Sequence, residues 1–159
     1  MPNWVTNKVV APSHVIKAML NDKGHVDFDT VAPFPGLAGR NWSGIRCDAE
    51  TAAQAVLNIS LSGNPLLAAM QQASRERVNI KAMSEESFRQ FVGMLENYRA
   101  CSFLHQMDYA REVWGTKWNA CESKAEPEEG KCEFETAWGC PVGVLTKLSE
   151  RFPDETITV

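Results

Sequence analysis

Between residues 131 and 138 the chain alternates, with Cys132, Phe134, Thr136 and Trp138 on one side and Glu133, Glu135 and Ala137 on the other. Successive side chains of a strand point to opposite faces, so the pattern predicts a strand with one covered and one wet side. Such a strand needs a sheet backed on its apolar side. A partner over residues 117–123 would pair with it as a hairpin across Lys124-Ala125-Glu126-Pro127-Glu128-Glu129-Gly130, a loop too polar for a core.

The rest of the chain supplies the backing. Residues 3–10 favour a strand, and Pro12-Ser13 ends it and opens a helix with Val15, Ile16, Met19 and Leu20 on one face. Val26-Asp27-Phe28 reads as a short second strand, and residues 29–44 as a loop punctuated by Pro33, Pro35, Gly36, Gly39 and Gly44. Asp48 can cap a helix over residues 49–61, although residues 56–61 also alternate like a strand. Pro65 opens a short helix, and Ser84-Glu85-Glu86 caps the longest one, along which Phe88, Phe91, Val92, Leu95 and Tyr98 keep amphipathic spacing. Pro141 starts a last helix carrying Val144, Leu145, Leu148 and Phe152 inward, before an extended stretch at residues 155–159. With residues 48–113 set aside as a mostly helical insertion, the order suits one α+β domain over residues 1–159. Its expected architecture is ferredoxin-like, an antiparallel sheet with helices on one face.

A chain of 159 residues, 44% hydrophobic and 23% charged, can bury a core of that size. Its formal charge of −4 builds in no general attraction to nucleic acid or anionic membrane. No apolar run approaches a membrane span, and the first residues lack the pattern of a signal peptide. Five scattered cysteines, an odd number, suit reduced thiols, so the expected location is the cytoplasm.

Met1-Pro2-Asn3-Trp4 with Asn7, Trp114-Gly115-Thr116-Lys117-Trp118-Asn119-Ala120, and Thr136-Ala137-Trp138 before Pro141 carry a resemblance. They are similar to the YubB-like proteins of plasmids and bacteriophages. The resemblance implies a ferredoxin-like fold, named without reference to any iron–sulfur cluster, and a cytoplasmic setting in a bacterial host. It implies no biochemical activity. Val5 stands where the family pattern has a cysteine, and Gly139-Cys140 replaces its small polar residue and proline.

Two surfaces are candidates for binding. The first is the cluster of Trp114, Lys117, Trp118, Thr136 and Trp138, with Asn3, Trp4 and Asn7 beside it. Exposed, its rings can stack on bases and Lys117 can meet a phosphate; buried, it is a core seam, which large aromatics more often form. The second is the acidic hairpin of Glu122, Glu126, Glu128, Glu129, Glu133 and Glu135, able to occupy a basic nucleic-acid groove on a host or defence protein, or simply a solvated face. Cys101 and His105, one helical turn apart, lack the second closely spaced pair that structural zinc uses, so no metal is assigned. No phosphate loop or nucleophile motif appears, and no catalytic residue or cofactor is assigned.

The expectation is therefore a non-enzymatic phage, prophage or plasmid accessory protein that binds a host or defence protein, as in counter-defence inhibition. The hairpin and the loop at residues 33–44 are its expected surfaces. The alternative is a single-stranded nucleic-acid or nucleotide-binding module using sheet tryptophans.

Overall fold

The computed structural model describes residues 3–40 and 42–159. The protein is α+β, and its chain forms two compact units, residues 3–34 with Met107–Val159 and residues Pro35–Gln106. The first unit holds an antiparallel sheet of β1 (Trp4–Val10), β2 (Cys121–Glu126) and β3 (Lys131–Ala137), in the order β1-β3-β2. Pairing of β1 with β3 runs without a break from Trp4 opposite Ala137 to Val10 opposite Lys131. The alternation of β3 is realised as far as Thr136: Cys132, Phe134 and Thr136 are buried and Lys131 and Glu133 face water, but Ala137, expected on the wet side, is fully buried.

Helices α1 (Ser13–Ala18), α2 (Phe28–Val31) and α7 (Val142–Arg151) belong to the same unit. Val15, Ile16, Phe28, Val144 and Leu148 are fully buried, together with Phe134 of β3. Phe28 stands edge-on to Phe134 and Trp114, with ring centroids 5.7 and 5.6 Å away. That geometry matches the ring quadrupoles and adds about 0.5–1.5 kcal/mol per pair beyond area burial.

Three strand expectations change. Val26-Asp27-Phe28 is no strand: Val26 makes a single bridge to Leu20, and the Asp27 carboxylate accepts from the Asp29 N–H at 2.9 Å, starting α2. A short side chain that caps its own backbone outweighs a weak β-propensity. Residues 155–159 contribute only a bridge from Thr158 to Val10. β2 lies later than residues 117–123, because Pro127 and Gly130 shrink the loop to the 3₁₀ turn Pro127–Glu129. Gly130 has φ +67°, and a Cβ there would stand 2.6 Å from the Ala11 oxygen, so this tight return requires glycine.

The second unit is built on α3 (Cys47–Val56), α4 (Pro65–Arg77) and α5 (Glu85–Cys101). Ala49, Ala52 and Ala53 are fully buried in one cluster with Phe91 and Met94. The ambiguous residues 56–61 continue neither as helix nor as strand, since α3 ends at Val56 and Asn58 turns left-handed at φ 51°. The loop before α3 is held at Ala38, Gly44 and Arg46. Asn97, fully buried, accepts from the Ala38 N–H and donates to the Ala38 carbonyl, and Gln90 does the same for Arg46 and Gly44.

Among the described residues no helix is long and apolar enough to cross a membrane. α6 (Gln106–Tyr109) runs on into a π-helical stretch, Ala110–Trp114. Gly143 of α7 abuts that stretch, and a Cβ on it would fall 1.7 Å from the Val113 oxygen. Gly143→Ala must push the helix away, so urea unfolding should show a loss of about 1–3 kcal/mol. An unchanged midpoint would contradict this packing.

Candidate functional site

The string from Trp114 to Ala120 separates into structural and exposed residues. Trp114 is 2% exposed and donates its indole N–H to the Ala32 carbonyl at 2.8 Å, so it is core. Gly115 ends the π-helical stretch at φ +81°. Thr116, also buried, donates its hydroxyl to the Ala137 carbonyl at 2.9 Å. Asn119 accepts from the Phe28 N–H and donates to the Asp27 carboxylate at 2.7 Å. Between these anchors Lys117 and Trp118 are left facing outward. The Lys117 ammonium lies 4.9 Å from the centre of the Trp118 ring, a cation–π distance.

The turn after β3 works in the same direction. Strand alternation would bury Trp138 with Phe134 and Thr136, yet its φ is +75° and it is 63% exposed. A bulky residue in the left-handed region costs about 1–2 kcal/mol, so other contacts must impose it. The Trp138 N–H donates to the Asn3 carbonyl at 2.7 Å, and the Thr136 hydroxyl donates to the Gly139 carbonyl at 2.7 Å. Asn7, buried on β1, donates to the Thr136 oxygen at 2.8 Å. Asn7, Thr116 and Thr136 are therefore positioning residues.

Trp4 joins the group from the neighbouring strand. It is 44% exposed, Trp118 is 38% exposed, and their ring centroids are 6.1 Å apart at a tilt of 41°. Beside them a cleft of about 360 Å³ is lined by Arg111, Lys117 and Trp138 together with Gly115, Thr116, Ala137 and Gly139. Sequence reading overlooked Arg111. Its place beside Lys117 is set by the turn at Gly115, where the π-helical stretch ends, and nothing in the residue types marks it.

The acidic hairpin consists of β2, β3 and the 3₁₀ turn between them. Its tip does not project, because the Gly130 carbonyl accepts from the Ala11 N–H at 3.0 Å. Glu128 pairs with Lys17 at 2.7 Å, Glu129 with Lys131 at 3.2 Å and Glu133 with Lys8 at 3.3 Å. Such exposed pairs contribute about 0–1 kcal/mol each. Glu126 ends β2 opposite Lys131, whereas Glu122 and Glu135 flank Cys121. The tip sits at the Val10 end of the sheet and the tryptophans at the Trp4 end, so the two expected surfaces form no single site.

Cys101 donates its thiol to the Asn97 carbonyl at 3.2 Å, and buried His105 lies 3.7 Å from the Glu50 carboxylate. Burial pushes the thiols of Cys121 and Cys140 up, with Glu122 and Glu135 adding to the first, and holds Cys132 at about 11. These groups stay protonated at neutral pH and are poor nucleophiles there.

Two outcomes follow from this geometry. Trp114→Ala should cost about 3–5 kcal/mol in chemical denaturation, as a buried aromatic does, whereas Trp138→Gly should change stability by less than about 1 kcal/mol. Equal losses would show that Trp138 is structural. For Cys132 the folded thiol keeps its proton up to about 11 while the unfolded one loses it near 9.0. Its contribution is therefore present below the lower value and lost as pH rises through the upper. Melting temperatures of Cys132→Ala should fall less across that window than those of the parent chain, and parallel curves would refute the link.

Comparisons with protein-family models, with curated proteins and with solved structures give no match to this chain.

Proposed function

We propose that the chain is a non-enzymatic binding module that takes single-stranded nucleic acid or nucleotides at the aromatic end of its open sheet face. One observation carries this: Trp4, Trp118 and Trp138 are all exposed at that end, beside the Lys117 ammonium. Every base has a π-face, and stacking on an aromatic side chain contributes about 1–3 kcal/mol per base. A left-handed backbone at an exposed tryptophan is costly for a residue with no role, which favours a ligand at Trp138. The fold proposed for this platform is ferredoxin-like. Its support is the order β1-β3-β2 with Thr158 bridged to β1, the order of a split βαβ sheet whose fourth strand is reduced to one contact.

The likeness of the WGTKWNA string to the YubB-like proteins supports an accessory role on a phage or plasmid, in the cytoplasm of a bacterial host. A host or defence protein is the second reading of the partner. What favours it is that Glu122, Glu126 and Glu135 make no ion pair among the described residues, so the wet face retains carboxylates for a basic surface.

Short oligothymidylate should quench tryptophan fluorescence at low salt and release on added salt, since phosphate contacts are strongest there. Trp118→Ala should weaken the interaction by about fivefold to a hundredfold. Charge reversal at Glu122 and Glu126 should leave the quench intact while weakening any protein partner. No quench at low salt would sink the proposal.

A further inference from the structure

We infer that the cleft between Arg111, Lys117 and Trp138 holds one phosphorylated nucleotide unit, with its base against the Trp138 ring and its phosphate between the two cations. The inference rests on the reading that the exposed rings stack bases, and it narrows the ligand. Among the residues lining this cleft two are cationic and none is a carboxylate, in a chain whose net charge is −4. Arg111 is half exposed. Its guanidinium lies 3.9 Å from the Asp108 carboxylate and donates to the Met107 sulfur at 3.4 Å. A guanidinium carries five N–H donors in a planar fork that matches phosphate, so a loose contact to one carboxylate leaves donors for a ligand.

The remainder of the wet sheet face argues against a long strand. Lys8 is paired with Glu133 and Lys131 with Glu129, while Lys124 stands opposite Glu133 in the register. A strand laid along β1 and β3 would leave the cations at one end and meet Glu135 and Glu133 next. Affinity for a long strand grows with the number of phosphates neutralised, and beyond the cleft that number does not grow. A volume of about 360 Å³ lies near the lower end of the range for small-ligand pockets, which suits one nucleotide. The Thr116 hydroxyl already donates to the Ala137 carbonyl, so the phosphate falls to Arg111 and Lys117.

A free nucleotide and the phosphorylated end of a strand present the same chemistry. Calorimetry on the full chain with adenosine monophosphate, adenosine, inorganic phosphate, and oligothymidylate with and without a terminal phosphate tells them apart. Expected is that adenosine monophosphate binds at least about tenfold more tightly than adenosine or phosphate alone. Arg111→Gln and Trp138→Gly should each reduce that affinity about tenfold or more at an unchanged melting temperature, and Trp4→Ala should not. A gain from the terminal phosphate on the oligonucleotide extends the site to strand ends, and its absence assigns it to free nucleotides. Adenosine monophosphate binding no better than adenosine, or binding that ignores Arg111→Gln, overturns the inference. Oligonucleotide binding without any mononucleotide binding overturns it while leaving the stacking platform standing. No binding of any probe overturns both.

Discussion

The hydroxyl of Thr136 is the contact on which the aromatic end of the first unit depends. It is buried, accepts from Asn7 of β1 and donates to the Gly139 carbonyl beyond the end of β3. A hydroxyl can do both at once because it has one donor and two acceptor sites. Satisfied in this way, a polar pair is tolerated inside an apolar sheet face, and its directionality fixes the turn that a purely apolar contact would leave free. From that turn follow the left-handed Trp138, the Thr116 bond to Ala137 and the place of Ala137, Trp138 and Gly139 in the lining of the cleft.

Much of this was legible in the residues. The alternation of β3 named its buried side correctly through Thr136, and Pro65 and the Ser84 cap mark the true starts of α4 and α5. What escaped were features decided by side chains meeting their own or distant backbone. Asp27 closing on Asp29 replaced a strand by a helical turn, and the backbone reversal at Trp138 broke a period that residue types alone extend. The WGTKWNA string looked like a single feature. It is an interleaving of anchors at Trp114, Thr116 and Asn119 with two outward residues, a division set by hydrogen-bond partners far away in sequence, at Ala32, Ala137 and Asp27.

The second unit shows the same economy of contacts around a different residue. Trp42 packs where Gly39 and Gly93 leave room: a Cβ at Gly39 would stand 2.1 Å from its ring and one at Gly93 3.0 Å. The glycines and the two amides, Asn97 and Gln90, together turn a proline- and glycine-rich loop into a fixed element, which composition alone reads as loose.

The irregularity in β2 has a further effect. Between Cys121 and Lys124 the strand bulges, with Glu122 at φ 46°, and Glu122, Lys124 and Glu126 line an outermost strand of the sheet. Bulges and charges on an outer strand discourage another chain from extending the hydrogen-bonded ladder. Recognition by added strands is therefore disfavoured on this side, and a partner is steered from the backbone rim to the side chains of the face.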